Sequence, residues 1–131
     1  KLAEGFIDYW DNADPETVEG ARKFQETPKV VFTKTLTENR WDRTTLAKGD
    51  LAEEVNKLKN SNGGDLIAYG GASFVGSLLK EGLIDELNLL VNPTALGAGM
   101  PIFNKLQNHQ KFNLIQAKKF DCGIALLQYN K

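Results

Sequence analysis

Asp65-Leu66-Ile67-Ala68-Tyr69-Gly70-Gly71-Ala72-Ser73-Phe74 decides how this chain is read. Its first five residues are too apolar for a half-exposed strand and predict a buried, parallel one. Gly70-Gly71 stops that strand sharply. Phe74, Val75, Leu78 and Leu79 then fall on one face of a helix, and Gly82 suits its C′ position. Glu86–Val91 is the next strand, closed by Asn92-Pro93.

Working upstream, Lys29–Thr33 is a β-branched and aromatic run, hence a strand, and Thr44-Thr45-Leu46 is a weaker one. Asp50 with Glu53 forms a capping box that opens a helix carrying Leu51, Val55 and Leu58 on one side. Strands and helices alternating at this spacing predict right-handed βαβ units and a largely parallel sheet. Downstream the pattern changes. Lys111–Lys119 alternates apolar and polar residues, Asp121-Cys122-Gly123 turns the chain, and Ile124–Tyr129 returns. Strands joined by so short a turn are antiparallel. The expected fold class is therefore α/β, with a mixed, mostly parallel sheet flanked by helices and ending in an antiparallel pair.

At the other end, Leu2, Phe6 and Trp10 recur four apart, so one helix face is apolar from the first turn with no cap before it. Residues 1–131 are thus expected to be a single domain that lacks its N-terminal strand region. Asp14 as N-cap, Pro15 at N1 and Glu16 in the first turn predict a second helix reaching about Phe24, broken by Thr27-Pro28.

Composition narrows the function. The 131 residues are 41% hydrophobic and 25% charged with a formal net charge of −1, which gives polyanions no general attraction and argues against a nucleic-acid partner. One cysteine, Cys122, and one histidine, His109, exclude a disulfide framework and Cys- or His-rich metal sites. No apolar run approaches the ~20 residues that span a bilayer, so no membrane role is expected; a cytoplasmic location is the default expectation.

Three segments are candidates for chemistry. At Gly70-Gly71 the main chain can approach a ligand closely, and the following helix offers unpaired amides and the positive end of its dipole to a phosphate. Ser73 adds a hydroxyl. The same glycine pair is equally compatible with a plain strand-to-helix turn. Its spacing fits neither the Rossmann fingerprint nor a P-loop. Thr33-Lys34-Thr35 could hold a further phosphate or be a solvated loop. Asn92–Phe103 contains Gly97-Ala98-Gly99 before Pro101, which suits N1 of a short helix; it could carry an anion or shape a pocket rim, or equally be a purely structural connection. His109 is expected to be solvated, Cys122 to be a turn residue, and Trp10 and Trp41 to be packing residues, with Trp41 a candidate pocket wall.

Taken in order, Val30–Leu36, the capped helix from Asp50, Tyr69–Phe74, Gly82–Leu87, Asn92-Pro93 through Gly99 and Phe120–Gly123 resemble the riboflavin-biosynthesis reductase C-terminal domain family. The resemblance implies a dihydrofolate-reductase-like fold and an oxidoreductase using NADPH on a small heterocyclic substrate, of riboflavin-pathway pyrimidine or dihydrofolate type. It implies that Gly70, Gly71, Ala72, Ser73 and Phe74 cradle the pyrophosphate, that Thr33, Lys34 and Thr35 hold the 2′-phosphate side, and that Leu36 packs near the adenine. Lys1 resembles the residue after a Gly-Arg pair that helps bind the cofactor. No catalytic side chain is identified, and a homodimer is implied. The other class of reading is a non-catalytic NADP-binding or sensor module of the same fold.

Overall fold

The computed structural model describes residues 2–131, Leu2 by its main chain only. Lys1 and the Leu2 side chain, both singled out above, lie outside the described residues. Residues up to Asn60 and Ser61–Lys131 form two compact units.

In the first unit, α1 (Leu2–Asp11) and α2 (Ala21–Glu26) precede a parallel pair, β1 (Lys29–Phe32) and β2 (Thr44–Ala47), and α3 (Leu51–Lys59) follows. The apolar face of α1 supplies Ile7, buried with Val31 and Trp41, while Ala3, Phe24, Leu36 and Leu46 pack against that cluster. Phe6, Trp10 and Phe24 form an aromatic layer, with Phe6 edge-on to Phe24 at 5.5 Å and Trp10 stacked on Phe24 at 5.5 Å. Burying the Trp41 indole requires a partner for its N–H, and Asp8 Oδ1 accepts it at 2.7 Å. Trp41 is therefore core, not a pocket wall.

The second helix is shorter than its caps predict. The Asp14 carboxylate accepts from Glu16 N at 2.9 Å, and Val18 N donates to the Asp14 carbonyl, so one turn forms. Gly20 then takes φ 87°, which ends that turn, and α2 starts afresh at Ala21. Gln25 of α2 ties down the end of α1: its Nε2 donates to the carbonyl of Trp10 at 3.0 Å, which also accepts from Ala13 N, and to that of Ala13, just past the helix, at 2.9 Å. The Asp50 cap behaves as expected, accepting from Ala52 N at 2.9 Å and Glu53 N at 3.2 Å, and Val55 is the buried residue of α3.

In the second unit, α4 (Ala72–Lys80) leads to a three-stranded antiparallel sheet of β3 (Glu86–Val91), β4 (Asn113–Lys119) and β5 (Ala125–Asn130) in the order β3-β5-β4. The expected hairpin is present: Gly123 N donates to Phe120 O and Phe120 N to Ile124 O, both at 2.9 Å. Helix α4 ends in a Schellman motif, Leu83 N to Leu78 O at 2.9 Å and Gly82 N to Leu79 O at 3.0 Å, with Gly82 at φ 67°. Leu78, Leu79 and Leu87 are buried.

Three expectations are corrected here. Asp65–Tyr69 is not a strand and is not buried; Ile67 and Tyr69 are 71% and 65% exposed. A strand exists only where its row of amides and carbonyls meets a paired neighbour, and none of β1–β5 pairs with this segment. β3 pairs antiparallel with β5, so among the described strands one pair is parallel and two are antiparallel, not mostly parallel. Pro101 opens no helix, and 101–106 is a series of bends with one turn bond, Leu106 N to Phe103 O. What remains is an α/β chain with mixed strand pairing. No helix among the described residues is long and apolar enough to cross a membrane.

Asp50→Ala removes two capping bonds without touching the core. It is expected to lower the stability of the folded chain by about 1 kcal/mol, read as a shift in the urea midpoint at unchanged slope.

Candidate functional site

The glycine corner has the geometry its sequence suggests. Gly70 and Gly71 both take positive φ, 64° and 75°, dihedrals that a Cβ disfavours. Gly70 is exposed, and an added Cβ there would meet nothing within 4 Å. Gly71 is the N-cap of α4, and its carbonyl accepts from Phe74 N and Val75 N, both at 2.9 Å. That leaves the amides of Ala72 and Ser73 as the open donors of the helix start, with no partner among the described residues. No acidic residue lies in the first turn to occupy them. Ser73 is exposed, whereas Phe74 is half-buried. The corner can thus present two main-chain N–H groups and one hydroxyl to an anion.

The Thr33–Leu36 segment belongs to the first unit, immediately after β1. Thr33 Oγ1 accepts from Thr35 N at 3.2 Å and Leu36 N at 3.0 Å, a hydroxyl-closed turn that fixes the course of the loop. Lys34 is not a freely solvated side chain. Its Nζ donates to the carbonyls of Lys48 and Gly49, both at 2.8 Å, which keeps its charge beside the segment leading into α3. An ammonium has three donors, so one is left for a ligand. Thr35 is exposed. Leu36 is half-buried and packs against the Ile7, Val31 and Trp41 cluster.

The connection after β3 carries Gly97 and Gly99 with open space around them, and Leu96 and Met100 are exposed. Further on it lies against α4. Lys105 Nζ donates to Ser73 O at 2.8 Å and to Ser77 Oγ at 2.7 Å, and Gln110 Nε2 donates to Leu79 O at 2.7 Å. Sequence reading missed both residues: a lysine and a glutamine in an irregular polar run carry no periodicity that would mark them. Phe103, Leu106, Phe112 and residues 107–110 line a cleft of about 620 Å³, with exposed His109 among them. Cys122 is exposed and free. The main-chain carbonyl of Asp85 accepts from Lys131 N, and the Glu86 carboxylate accepts from Asn88 at 2.8 Å and Gln128 at 2.9 Å. Those two amides hold the Glu86 carboxyl below the usual range, a local surface effect.

Several known proteins are similar to this chain. The chain is 33% identical over 121 residues to the uncharacterized protein YyaP of Bacillus subtilis strain 168, covering 91% of this chain and 63% of that one. It is 30% identical over 103 residues to the uncharacterized protein YwjB of the same organism, covering 79% and 59%. It therefore spans about three fifths of the length of these curated relatives. A crystal structure from Shewanella sp. PV-4, of a protein assigned provisionally to riboflavin biosynthesis, superposes with a TM-score of 0.68 at 26% identity, over 96% of this chain and 78% of that one. The model of the RibD C-terminal domain matches residues 7–126, and the chain belongs to that family.

Proposed function

We propose that this protein is an NADPH-dependent reductase of a small heterocyclic substrate, of the kind reduced in riboflavin synthesis or of dihydrofolate type. The observation that carries the reading is the Gly70–Gly71 corner: two positive-φ glycines, open space at the first, and the unpartnered amides of Ala72 and Ser73 behind them. A dinucleotide's pyrophosphate fits that donor set, because it needs several hydrogen bonds from a main chain it can approach closely. Gly70, Gly71, Ala72, Ser73 and the Phe74 main chain would hold the bridge. Thr33, Lys34 and Thr35 would hold the 2′-phosphate side. Leu36, half-buried at the end of that loop, would pack near the adenine. Bound NADPH would supply the hydride, so the task of these residues is to bind, orient and exclude water.

The same reading gives the protein a small-molecule substrate, a cytoplasmic location and a second copy of the chain as partner. Support for self-association comes from apolar surface at the sheet: Leu114 and Ile115 of β4 are 56% and 53% exposed and Leu90 of β3 is 63% exposed. If NADPH binds but is not oxidised with any pterin or ribosylaminopyrimidine substrate, the protein is the non-catalytic NADP-binding module instead.

Three measurements test the proposal. Gly70→Ala adds a Cβ where the protein has nothing to clash with, so the fold should survive with a loss of about 1 kcal/mol from left-handed strain. NADPH affinity in titration calorimetry should fall by about tenfold or more if that space belongs to the pyrophosphate; a folded variant with unaltered affinity removes the corner from the site. Lys34→Ala should weaken NADPH by about tenfold while leaving NADH nearly unchanged, since one charge-assisted bond is worth about 1.5–3 kcal/mol. Equal losses assign Lys34 to the loop alone. Sedimentation should report a dimer for the protein and a monomer for Leu114→Glu; a monomeric parent chain disproves the pairing.

A further inference from the structure

Asn62-Gly63 is the only Asn-Gly pair in the chain, and the NADPH reading gives it no role. It lies between α3, which ends at Lys59, and the Gly70–Gly71 corner, at the start of the second compact unit. Residues 61–64 are a run of bends, and 65–70 carry no regular structure. Asn62, Gly63 and Gly64 are all exposed, and a Cβ added at Gly63 or Gly64 would meet nothing within 4 Å. Among the described residues, neither the Asn62 carboxamide nor the Gly63 amide has a hydrogen-bond partner.

Asparagines elsewhere in the chain are held. Asn12 Nδ2 donates to the Asp8 carbonyl at 2.7 Å, Asn39 Nδ2 to the Trp41 carbonyl at 3.0 Å and Asn88 Nδ2 to the Glu86 carboxylate at 2.8 Å. Asn60, just upstream of Asn62, caps the end of α3 and is followed by Ser61, which has a side chain. At Asn62 none of these restraints operates. A side-chain amide and the next main-chain nitrogen can close into a ring only where the backbone between them turns freely and the following α-carbon leaves room. Glycine supplies both, since it has no Cβ and visits dihedrals closed to other residues. The asparagine that reacts most readily by sequence is thus also the one that the fold leaves unrestrained.

We propose that Asn62-Gly63 is a site of spontaneous deamidation in the folded chain. The Gly63 nitrogen, its proton taken by hydroxide or a buffer base, attacks Asn62 Cγ. The N–Cγ bond forms, the Cγ–Nδ2 bond breaks, and the nitrogen leaves as ammonia with a proton returned by the solvent. A cyclic imide remains, and water opens it at either carbonyl. Opening at Cγ gives aspartate; opening at the main-chain carbon gives isoaspartate, in which the chain runs on through Cγ. In sum a water is consumed and an ammonia released, and nothing is oxidised. Both products carry a carboxylate where the parent has an amide, so the formal net charge of −1 becomes one unit more negative. The isoaspartyl form also lengthens the main chain between α3 and the glycine corner by a carbon atom. Asn62 is exposed, so neither product removes a buried contact. The inference is independent of the NADPH reading.

The test is incubation of the intact chain at neutral and mildly alkaline pH, followed by tryptic mapping against an unincubated sample. Trypsin releases Asn60–Lys80 as one peptide, whose fragmentation distinguishes Asn60 from Asn62. Aspartate and isoaspartate should accumulate together at Asn62 while Asn60 stays an amide, and faster as pH rises, because the attacking nitrogen must lose its proton. The intact chain should react within about threefold of the isolated peptide, since no local structure has to open first. Gly63→Ala should slow the reaction by roughly fivefold or more. Asn62→Gln should remove the main acidic species on ion exchange. Protection of the intact chain by more than about tenfold over the peptide overturns the proposal. Conversion of Asn60 ahead of Asn62, or an unchanged rate in Gly63→Ala, does the same. Should Gly63→Ala fail to fold, the comparison of intact chain with peptide decides.

Discussion

The second unit is organised by the need to satisfy the main chain at both ends of one short helix. α4 has nine residues, so its unpaired amides and carbonyls are a large share of its polar groups. At its end the Schellman bonds of Gly82 and Leu83, with the Gln110 amide on the Leu79 carbonyl, satisfy the acceptors inside the protein. At its start the Ala72 and Ser73 amides are not satisfied in this way. The two ends of α4 are thus unlike: one is closed by the fold, and the other leaves two amides without a partner among the described residues.

Ends and turns were the most legible features in the sequence. The Asp50 cap, the Gly82 stop, the Gly70–Gly71 corner and the Asp121–Gly123 hairpin each depend on residues close together in the chain, and local chemistry decides them. Asp65–Tyr69 was misread because its composition states a preference for burial and cannot say which strand will pair with it. The helix expected from Asp14 to Phe24 failed at Gly20, whose cost inside a helix the favourable cap at Asp14 obscured. Of the candidate site, the glycines and Thr33 were visible as types in a pattern. The Lys34 bonds to Lys48 and Gly49 join residues 14 and 15 apart, and those of Lys105 and Ser73 join residues 32 apart, so no local window contains them.

The two polar clusters use different physics. Around Thr33 a side chain closes the turn and a lysine is restrained against carbonyls, so a ligand there would meet a fixed positive charge. At Gly70–Gly71 the absence of side chains exposes the main chain itself.

Among the described strands, β4 lies at one side of the three-stranded sheet and pairs with β5 alone. Its register breaks between Leu114 and Gln116, where Ile115 is the extra residue. A bulge bends the strand and interrupts the regular spacing of its outward donors and acceptors. An approaching strand from another molecule would find a broken template along that rim, which discourages open-ended growth of the sheet into fibrils.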